Sequence, residues 1–420
     1  MKEIILKRLK LSNWKAKNLD VSFNEGATTI SAQNEVGKSS LQHAWNWLFT
    51  SYTTPTAARN SNLYDKRVLL SPDTPDASVK AWVLIDGAEY TLERIAQPKF
   101  KRPRGSNEWV KDSSDNYIIK IDDFDVTATA FSEWVESMIC PLDKIAYLLD
   151  GAFFTALALE DKKKARAIID GIVGGCDMAE LKGDYSKLSS LLAKHTAEDV
   201  RNHIAAQMLP IKKRIDAIPA IINNKLFVVN DLEKRYNADR ISDKVSELSS
   251  NILASPNKET ISALVIACKA LGVAEYAKVE REGMDLLRKE QREMANSLVE
   301  LEGDKALADA LLEERAQIVG GKINKLLDGC KVQMFSTQIN GANIADCVIT
   351  DDEGVNFATL STSARLRVNL AIQNLFKKHY GVSIITWIDE AAVFDKTHLP
   401  KPDGQVCYLY AGDSDTLVVE

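Results

Sequence analysis

The sequence predicts a mixed α/β fold with a long helical insertion, and three stretches carry the prediction. Residues 28–31 form a short apolar strand that runs into Ala32-Gln33-Asn34-Glu35-Val36-Gly37-Lys38-Ser39-Ser40 and then into a helix-like run over 41–49. Residues 382–388 form a second apolar strand that ends in the adjacent carboxylates Asp389-Glu390. Between them, Leu287, Gln291, Met294, Leu298, Leu301, Lys305, Ala308 and Leu312 alternate spacings of four and three. Six of those eight positions are apolar and the other faces are charged, which is the pattern of an antiparallel or partner-seeking coiled-coil seam.

The elements follow in order. Alternating residues predict strands over 3–12 and 19–23, with a polar turn over 13–17. Leu41, Trp45 and Leu48 give the helix after the glycine-lysine loop its buried face. Residues 50–77 are rich in Thr, Ser, Asn, Asp and Pro and read as loop. A hairpin follows, with strands over 79–85 and 89–95 joined by Asp86-Gly87. Short strands flank Asp122-Asp123, and helices are expected over 130–137 and 160–173. From about Ala179 glycine becomes sparse and helical patterns dominate. Gly272 is expected to end a short helix over 258–271, and Gly320-Gly321 to close the coiled coil. Strands over 331–339 and 347–350 with a turn at Asn340-Gly341, a helix over 364–379 and a strand over 405–410 complete the chain.

Composition bounds the function. A chain of 420 residues exceeds one ordinary core. It is 45% hydrophobic and 27% charged, which excludes disordered and collagen-like classes. The net charge of −6 excludes a protein that coats nucleic acid with its whole surface, so DNA contact must come from local patches. One such patch is Lys99, Lys101, Arg102 and Arg104; its plainer reading is a solvated hairpin tip. The six cysteines, at 140, 176, 268, 330, 347 and 407, show no Cys-x-x-Cys spacing, so neither zinc nor a disulfide framework is expected. No stretch approaches 18 uninterrupted apolar residues and the N-terminus lacks a signal-peptide core, so a cytoplasmic protein without a membrane anchor is expected.

A strand, a tight turn ending in Gly-Lys-Ser and a helix is how a phosphate-binding loop is built. Backbone N–H groups of Asn34, Glu35, Val36, Gly37 and Ser40 would face the phosphates, reinforced by the helix dipole. Lys38 would reach the β- and γ-phosphates and the Ser39 hydroxyl would ligate Mg²⁺. Ala32 stands where the first glycine of the motif is usual. At the second strand end, Asp389 would hold Mg²⁺ and Glu390 would polarise an attacking water.

On these residues the chain resembles the SMC/SbcC/RecF-type ATPases, and most the short-armed SbcC-like ATPases of phages and prophages. Asn34-Glu35-Val36-Gly37-Lys38-Ser39 is similar to the Asn-Glu-Ala-Gly-Lys-Ser form of that class's loop. The resemblance implies an ABC-type P-loop head assembled from N- and C-terminal lobes, with an antiparallel coiled-coil arm inserted between them. The implied boundaries are an N-terminal lobe over 1–175, an insertion over 176–318 and a C-terminal lobe over 319–420. It also implies ATP and Mg²⁺ as cofactors, an ATP-dependent homodimer of heads, DNA as a partner and a possible nuclease subunit. Ser361 and Ser363, in Leu360-Ser361-Thr362-Ser363-Ala364, occupy the place of the loop that reaches across such a dimer to the partner's nucleotide. The plainer reading of Ser361 is a helix N-cap.

The chain departs from the class at four points. Ser363 replaces a glycine, no glutamine lies between Cys140 and Glu160, where Asp150 is a possible stand-in, and Gly412-Asp413 stands where His-Asp is usual. The arm has no Cys-x-x-Cys, so no zinc hook is implied. The resulting expectation is a slow ATPase acting in DNA repair, recombination or end processing. Two alternatives are a nucleotide-gated clamp with little hydrolysis, and a protein-directed ATPase subunit of a phage–host conflict system.

Overall fold

A computed structural model describes residues 1–65, 67, 69–102, 104, 108–337, 343–394 and 398–420. Strand β1 (Lys2–Trp14) turns through Lys15 and Ala16 into β2 (Lys17–Ser22), and β3 (Ala27–Ala32) feeds the loop that opens α1 (Lys38–Thr50). Strands β4 (Ala77–Ile85) and β5 (Ala88–Gln97) form the expected hairpin. Asp86 and Gly87, at φ 49° and 85°, supply the left-handed pair that a two-residue turn of this kind needs. A small hairpin of β6 (Phe100–Lys101) and β7 (Val110–Lys111) precedes β8 (Asn116–Ile121) and β9 (Phe124–Val126). Helices α2 (Ala128–Met138), α3 (Leu142–Leu149), α4 (Ala152–Glu160) and α5 (Lys162–Val173) follow.

The single helix expected over 160–173 is thus the second of two. Asp161 ends α4 and caps α5, its carboxylate accepting from the Lys164 N–H. Of the three lysines that open α5, Lys162, Lys163 and Lys164, the first pairs with the buried Asp346 at 2.8 Å.

The helical segment contains α6 (Ser189–Leu192), α7 (Ala197–Arg235), α8 (Ala238–Ala254) and α9 (Lys258–Asn324). Neither Gly272 nor Gly320-Gly321 ends a helix, since α9 runs unbroken for 67 residues. A helical glycine costs only about 1 kcal/mol relative to alanine, and the packing of so long a helix outweighs it. Then come β10 (Lys331–Thr337), β11 (Asn343–Thr350), α10 (Thr362–Tyr380), β12 (Val382–Ile384), β13 (Thr386–Ile388), β14 (Val406–Ala411) and β15 (Val418–Val419). The expected turn at Asn340-Gly341 lies outside the described residues.

The chain divides into two compact units, residues 1–180 with 315–420 and residues 181–314. In the second, α7 lies antiparallel to α9. Arg201 pairs with Asp309, Arg214 with Glu290 and Lys225 with Glu280, so the α9 number falls as the α7 number rises. Ile218, Ile222 and Val229 pack against Ala277 and Met284 between these helices. All eight seam positions read from the sequence are buried or half-buried. Burial of this seam, rather than the exposed ion pairs at roughly 0–1 kcal/mol each, holds the pair together.

In the first unit a larger and a smaller sheet share one core, to which the paired strands β10 and β11 also contribute Val332, Met334, Cys347 and Ile349. The larger has the order β12-β1-β4-β5-β8-β9 with β2 also on β1, and the smaller has the order β13-β14-β3-β15. In the smaller sheet β13, β14 and β3 are parallel, so the phosphate-type loop after β3 and the carboxylates after β13 leave the same edge. The apolar stretch over 382–388 is therefore two strands. It leaves one sheet after Ile384 and enters the other at Thr386.

Two buried polar side chains repair this crossing. The edge of β1 at Leu6 lies between its partners β12 and β2. There Gln405 accepts from the Leu6 N–H and donates to the Leu6 carbonyl, both at 2.8 Å. Lys377 donates to the Ile384 carbonyl and the Thr386 hydroxyl, each at 2.6 Å. Neither acceptor is charged, and burial pushes the Lys377 ammonium down to about 7. The unfolded chain keeps this proton up to the ordinary lysine range, while the folded chain loses it from about pH 7. Stability should therefore rise with pH above 7, by up to about 1.4 kcal/mol per unit from this group. Urea unfolding at pH 7 and 8.5 should show this rise in the wild type but not in Lys377→Met; equal slopes would contradict it.

Candidate nucleotide site

The loop between β3 and α1 is shaped by two left-handed residues, Glu35 at φ 67° and Gly37 at φ 126°. At Gly37 a side chain would be strained, because φ 126° is a conformation that L-residues rarely adopt and a Cβ would press on Leu19 Cδ1 at 3.0 Å. Gly37 then caps α1 without a side-chain bond; the Ser40 N–H, expected from the sequence to face the phosphates, donates instead to the Gly37 carbonyl at 3.0 Å. The Lys38 ammonium lies back over the loop, donating to the Ala32 carbonyl at 2.7 Å and the Gln33 carbonyl at 2.8 Å.

Asp389 and Glu390 stand at the end of β13. The Asp389 carboxylate accepts from the Glu390 N–H at 2.9 Å. Glu390 is left-handed at φ 55°, a conformation that costs a non-glycine residue on the order of 1–3 kcal/mol and clusters at functional sites. Asn34, Glu35, Gly37, Lys38, Ser39 and Ser40 line one cavity of about 470 Å³ together with Asp389 and Glu390. Its floor is β14, through Leu409 and Ala411. Of the loop residues singled out from the sequence, only Val36 is absent from this lining.

The surroundings were only partly legible. Asp150, at the C-terminus of α3, accepts from Gln42 Nε2 at 3.1 Å and from the Ala152 N–H at 2.8 Å. Burial raises its pKa, these two bonds oppose the rise, and the charge of Asp389 adds to it. Gln42 lies one helical turn beyond Lys38 and links Asp150 to the glycine-lysine loop; only that spacing could have pointed to it. The Asp150-Gly151 turn is held against α10. Gln373 donates to the Leu148 and Leu149 carbonyls at 2.8 and 2.9 Å, and a Cβ on Gly151 would fall 1.9 Å from the Asn369 carbonyl oxygen. Behind the loop, burial and the neighbouring Lys15 ammonium push His43 down to about 4, so the ring is neutral and accepts from Lys15 at 3.0 Å.

Gly412 to Ser414 runs along the start of the loop. The Gly412 N–H donates to the Ala32 carbonyl and the Gln33 N–H to the Ser414 carbonyl, so backbone bonds tie this segment to the start of the loop.

Ser361 and Ser363 do not line the cavity. Ser361 caps α10, accepting from the Ala364 N–H at 3.4 Å, and both serines are near or at the surface. Lys99, Lys101, Arg102 and Arg104 lie on or beside the β6–β7 hairpin and do not line it either. Lys101 is neutralised by Asp112 at 3.2 Å, and Arg102 stacks 4.4 Å from the centre of the half-exposed Trp109 ring. A second cavity, about 570 Å³, opens on the outer face of the larger sheet beside Arg8 and Trp82. Its cations Lys7 and Arg8 are already paired, with Glu25 and Asp20.

The donor set suits Mg²⁺ and a polyphosphate. The hydroxyl of Ser39 and the carboxylate of Asp389 are hard oxygen ligands facing one cavity with a lysine and a helix N-terminus. Among the described residues there is no group of three or more His, Cys, Asp and Glu side chains that could hold a metal by itself, so a metal there would share its ligands with phosphate and water.

No family model and no curated protein matches the chain. Among solved structures it is similar to the Smc head domain with a coiled coil and joint from Pyrococcus yayanosii, at 14% identity and a TM-score of 0.43, covering 99% of this chain and 97% of that one. It is similar to the Smc head domain from Pyrococcus furiosus bound to the C-terminal domain of ScpA, at 12% identity, a TM-score of 0.42, and coverage of 99% and 96%. It is also similar to the recombination mediator protein RecF-ATPrS of the RecFOR pathway, at 16% identity, a TM-score of 0.36, and coverage of 98% and 93%. At these scores no residue role is carried from those proteins to this chain.

Proposed function

We propose that the chain is an ATP-binding, slowly hydrolysing ATPase of SMC/SbcC/RecF type, closest to the short-armed SbcC-like group, that acts on DNA in repair, recombination or end processing. The observation that carries this reading is the joining of Asn34–Ser40 with Asp389-Glu390, some 350 residues later, around one cavity on the edge of a parallel sheet. Such edges are where α/β folds bind ligands. Lys38 exchanges its two loop carbonyls for β- and γ-phosphate oxygens, and the loop N–H groups hold the remaining phosphate charge. Ser39 and Asp389 would hold Mg²⁺, which would supply positive charge to the phosphates. Glu390 orients the attacking water and takes its proton. Backbone at Gly412 to Ser414 and the carboxylate of Asp150 in place of a glutamine support slow turnover and the clamp-like variant of this reading.

Ser361 and the N-terminus of α10 complete the site of a second head in trans, and the DNA role and any nuclease partner rest on the resemblance alone. The trans arrangement predicts complementation. Ser361→Arg retains a phosphate loop and Lys38→Ala retains a trans contact; at ATP concentrations no higher than the wild-type Kd, each alone should be nearly inactive. Mixed, they should recover about a quarter of wild-type ATPase, because half of randomly formed two-fold dimers are mixed and each has one intact site. A mixture as inactive as its parts would remove the trans dimer.

A further inference from the structure

The N-terminal third of α9 carries more apolar surface than its packing uses. Ala267, Ala274 and Ala277 face inward and are buried. On the opposite side of the helix run Ile261, Val265, Cys268, Gly272, Tyr276 and Val279, at spacings of four, three, four, four and three. Ile261, Val265, Tyr276 and Val279 are 48–63% exposed. The helix holds an 18-residue window with mean hydropathy 1.4, of which only 17% is buried. One face of the segment is committed to the interior and the other is a second, exposed seam, in which Tyr276 makes a side-chain hydrogen bond with Glu280.

We propose that this seam joins two copies of the chain, α9 against α9, antiparallel about a two-fold axis near Ala270. The sequence along it is self-complementary in that orientation. Ile261 falls opposite Val279, Val265 opposite Tyr276, and Cys268 opposite Gly272. Small residues meet at the centre, where the backbones approach, and larger ones meet towards both ends. Three residues beyond each end stand opposite charges, Lys258 before Ile261 and Glu282 after Val279. The antiparallel pairing sets Lys258 on the other copy's Glu282, twice per dimer, whereas a parallel pairing sets like on like. A lipid surface has no reason to match the two ends in this way. Nucleotide plays no part in this contact, so it stands or falls separately from the ATPase reading.

The test uses the full chain without nucleotide. Light scattering at tens of micromolar should give a dimer, and Val265→Glu with Tyr276→Glu, both at exposed positions, should give a folded monomer by circular dichroism. Lys258→Glu and Glu282→Lys should each weaken the dimer several-fold, and the two together should restore it, which a merely structural role would not do. Cys268 is the exposed cysteine, with Cys176 half-buried and the other four buried. In the dimer its α-carbon lies about 10–12 Å from its mate, from the rise per residue and the spacing of packed helices. Bismaleimidohexane should therefore trap a covalent dimer that Cys268→Ser abolishes. A monomer that does not cross-link through Cys268, no rescue by the charge swap, or Val265-dependent flotation with phosphatidylcholine–phosphatidylglycerol vesicles would each overturn the proposal.

Discussion

Replacing Glu390 by Gln should reduce kcat for ATP hydrolysis by about 10²- to 10⁴-fold, the usual contribution of a positioned general base, while leaving the affinity for Mg·ATP nearly unchanged. Glutamine keeps the size and the hydrogen-bonding reach of the side chain but cannot take a proton. Glu390 sits two residues after β13, with a left-handed backbone, in the turn that leads into the short helix at Ala391–Val393. The split between kcat and affinity is what identifies the role. Single-turnover hydrolysis and equilibrium binding of a fluorescent ATP analogue check it. A variant that hydrolyses ATP like wild type would assign the water to another group, and one that loses binding would make Glu390 part of the phosphate or metal cradle.

Lys38→Ala should act on binding. Its ammonium makes two hydrogen bonds to the loop's own carbonyls, at 2.7 and 2.8 Å, and is positioned to trade them for phosphate oxygens. A hydrogen bond to a charged partner is worth about 1.5–3 kcal/mol, so loss of the lysine should weaken ATP binding by roughly 10- to 150-fold, since each 1.4 kcal/mol is tenfold. Folding should hardly change, because the carbonyls of Ala32 and Gln33 keep the backbone donors of Gly412 and of solvent within reach. Calorimetric titration with ATP measures the first, and thermal unfolding of the free protein the second.

Both of these residues were legible because their chemistry is local. A Gly-Lys-Ser turn after a strand and an Asp-Glu pair at a strand end need only a few neighbours to be recognised, and the Asp86-Gly87 hairpin is of the same kind. What was not legible is tertiary. That the stretch over 382–388 changes sheets at Ile385 follows from strand order, which no local pattern encodes. Lys377, Gln373 and Gln405 look like ordinary polar residues until the carbonyls they satisfy are known. Gly272 and Gly320 were misread because a glycine signal of about 1 kcal/mol is weaker than a seam that continues on both sides of it. Asp161 was missed although a cap before a helical run is a readable signal. The second apolar line on α9 was hidden by the false helix end at Gly272, since only an unbroken helix puts Ile261 and Val279 on one face.

A nucleotide site built from two ends of the chain requires Lys38 and Asp389 to meet on one ligand, which a double-mutant cycle between them measures. Affinity for ATP in the presence of Mg²⁺ would be measured for wild type, Lys38→Ala, Asp389→Asn and the pair. Residues that meet on one ligand couple by about 0.5–3 kcal/mol, so the double variant should bind ATP measurably differently from the sum of the single losses. Strict additivity, or an Asp389→Asn variant whose affinity for Mg·ATP equals that of wild type, would contradict a site shared by the two strand ends.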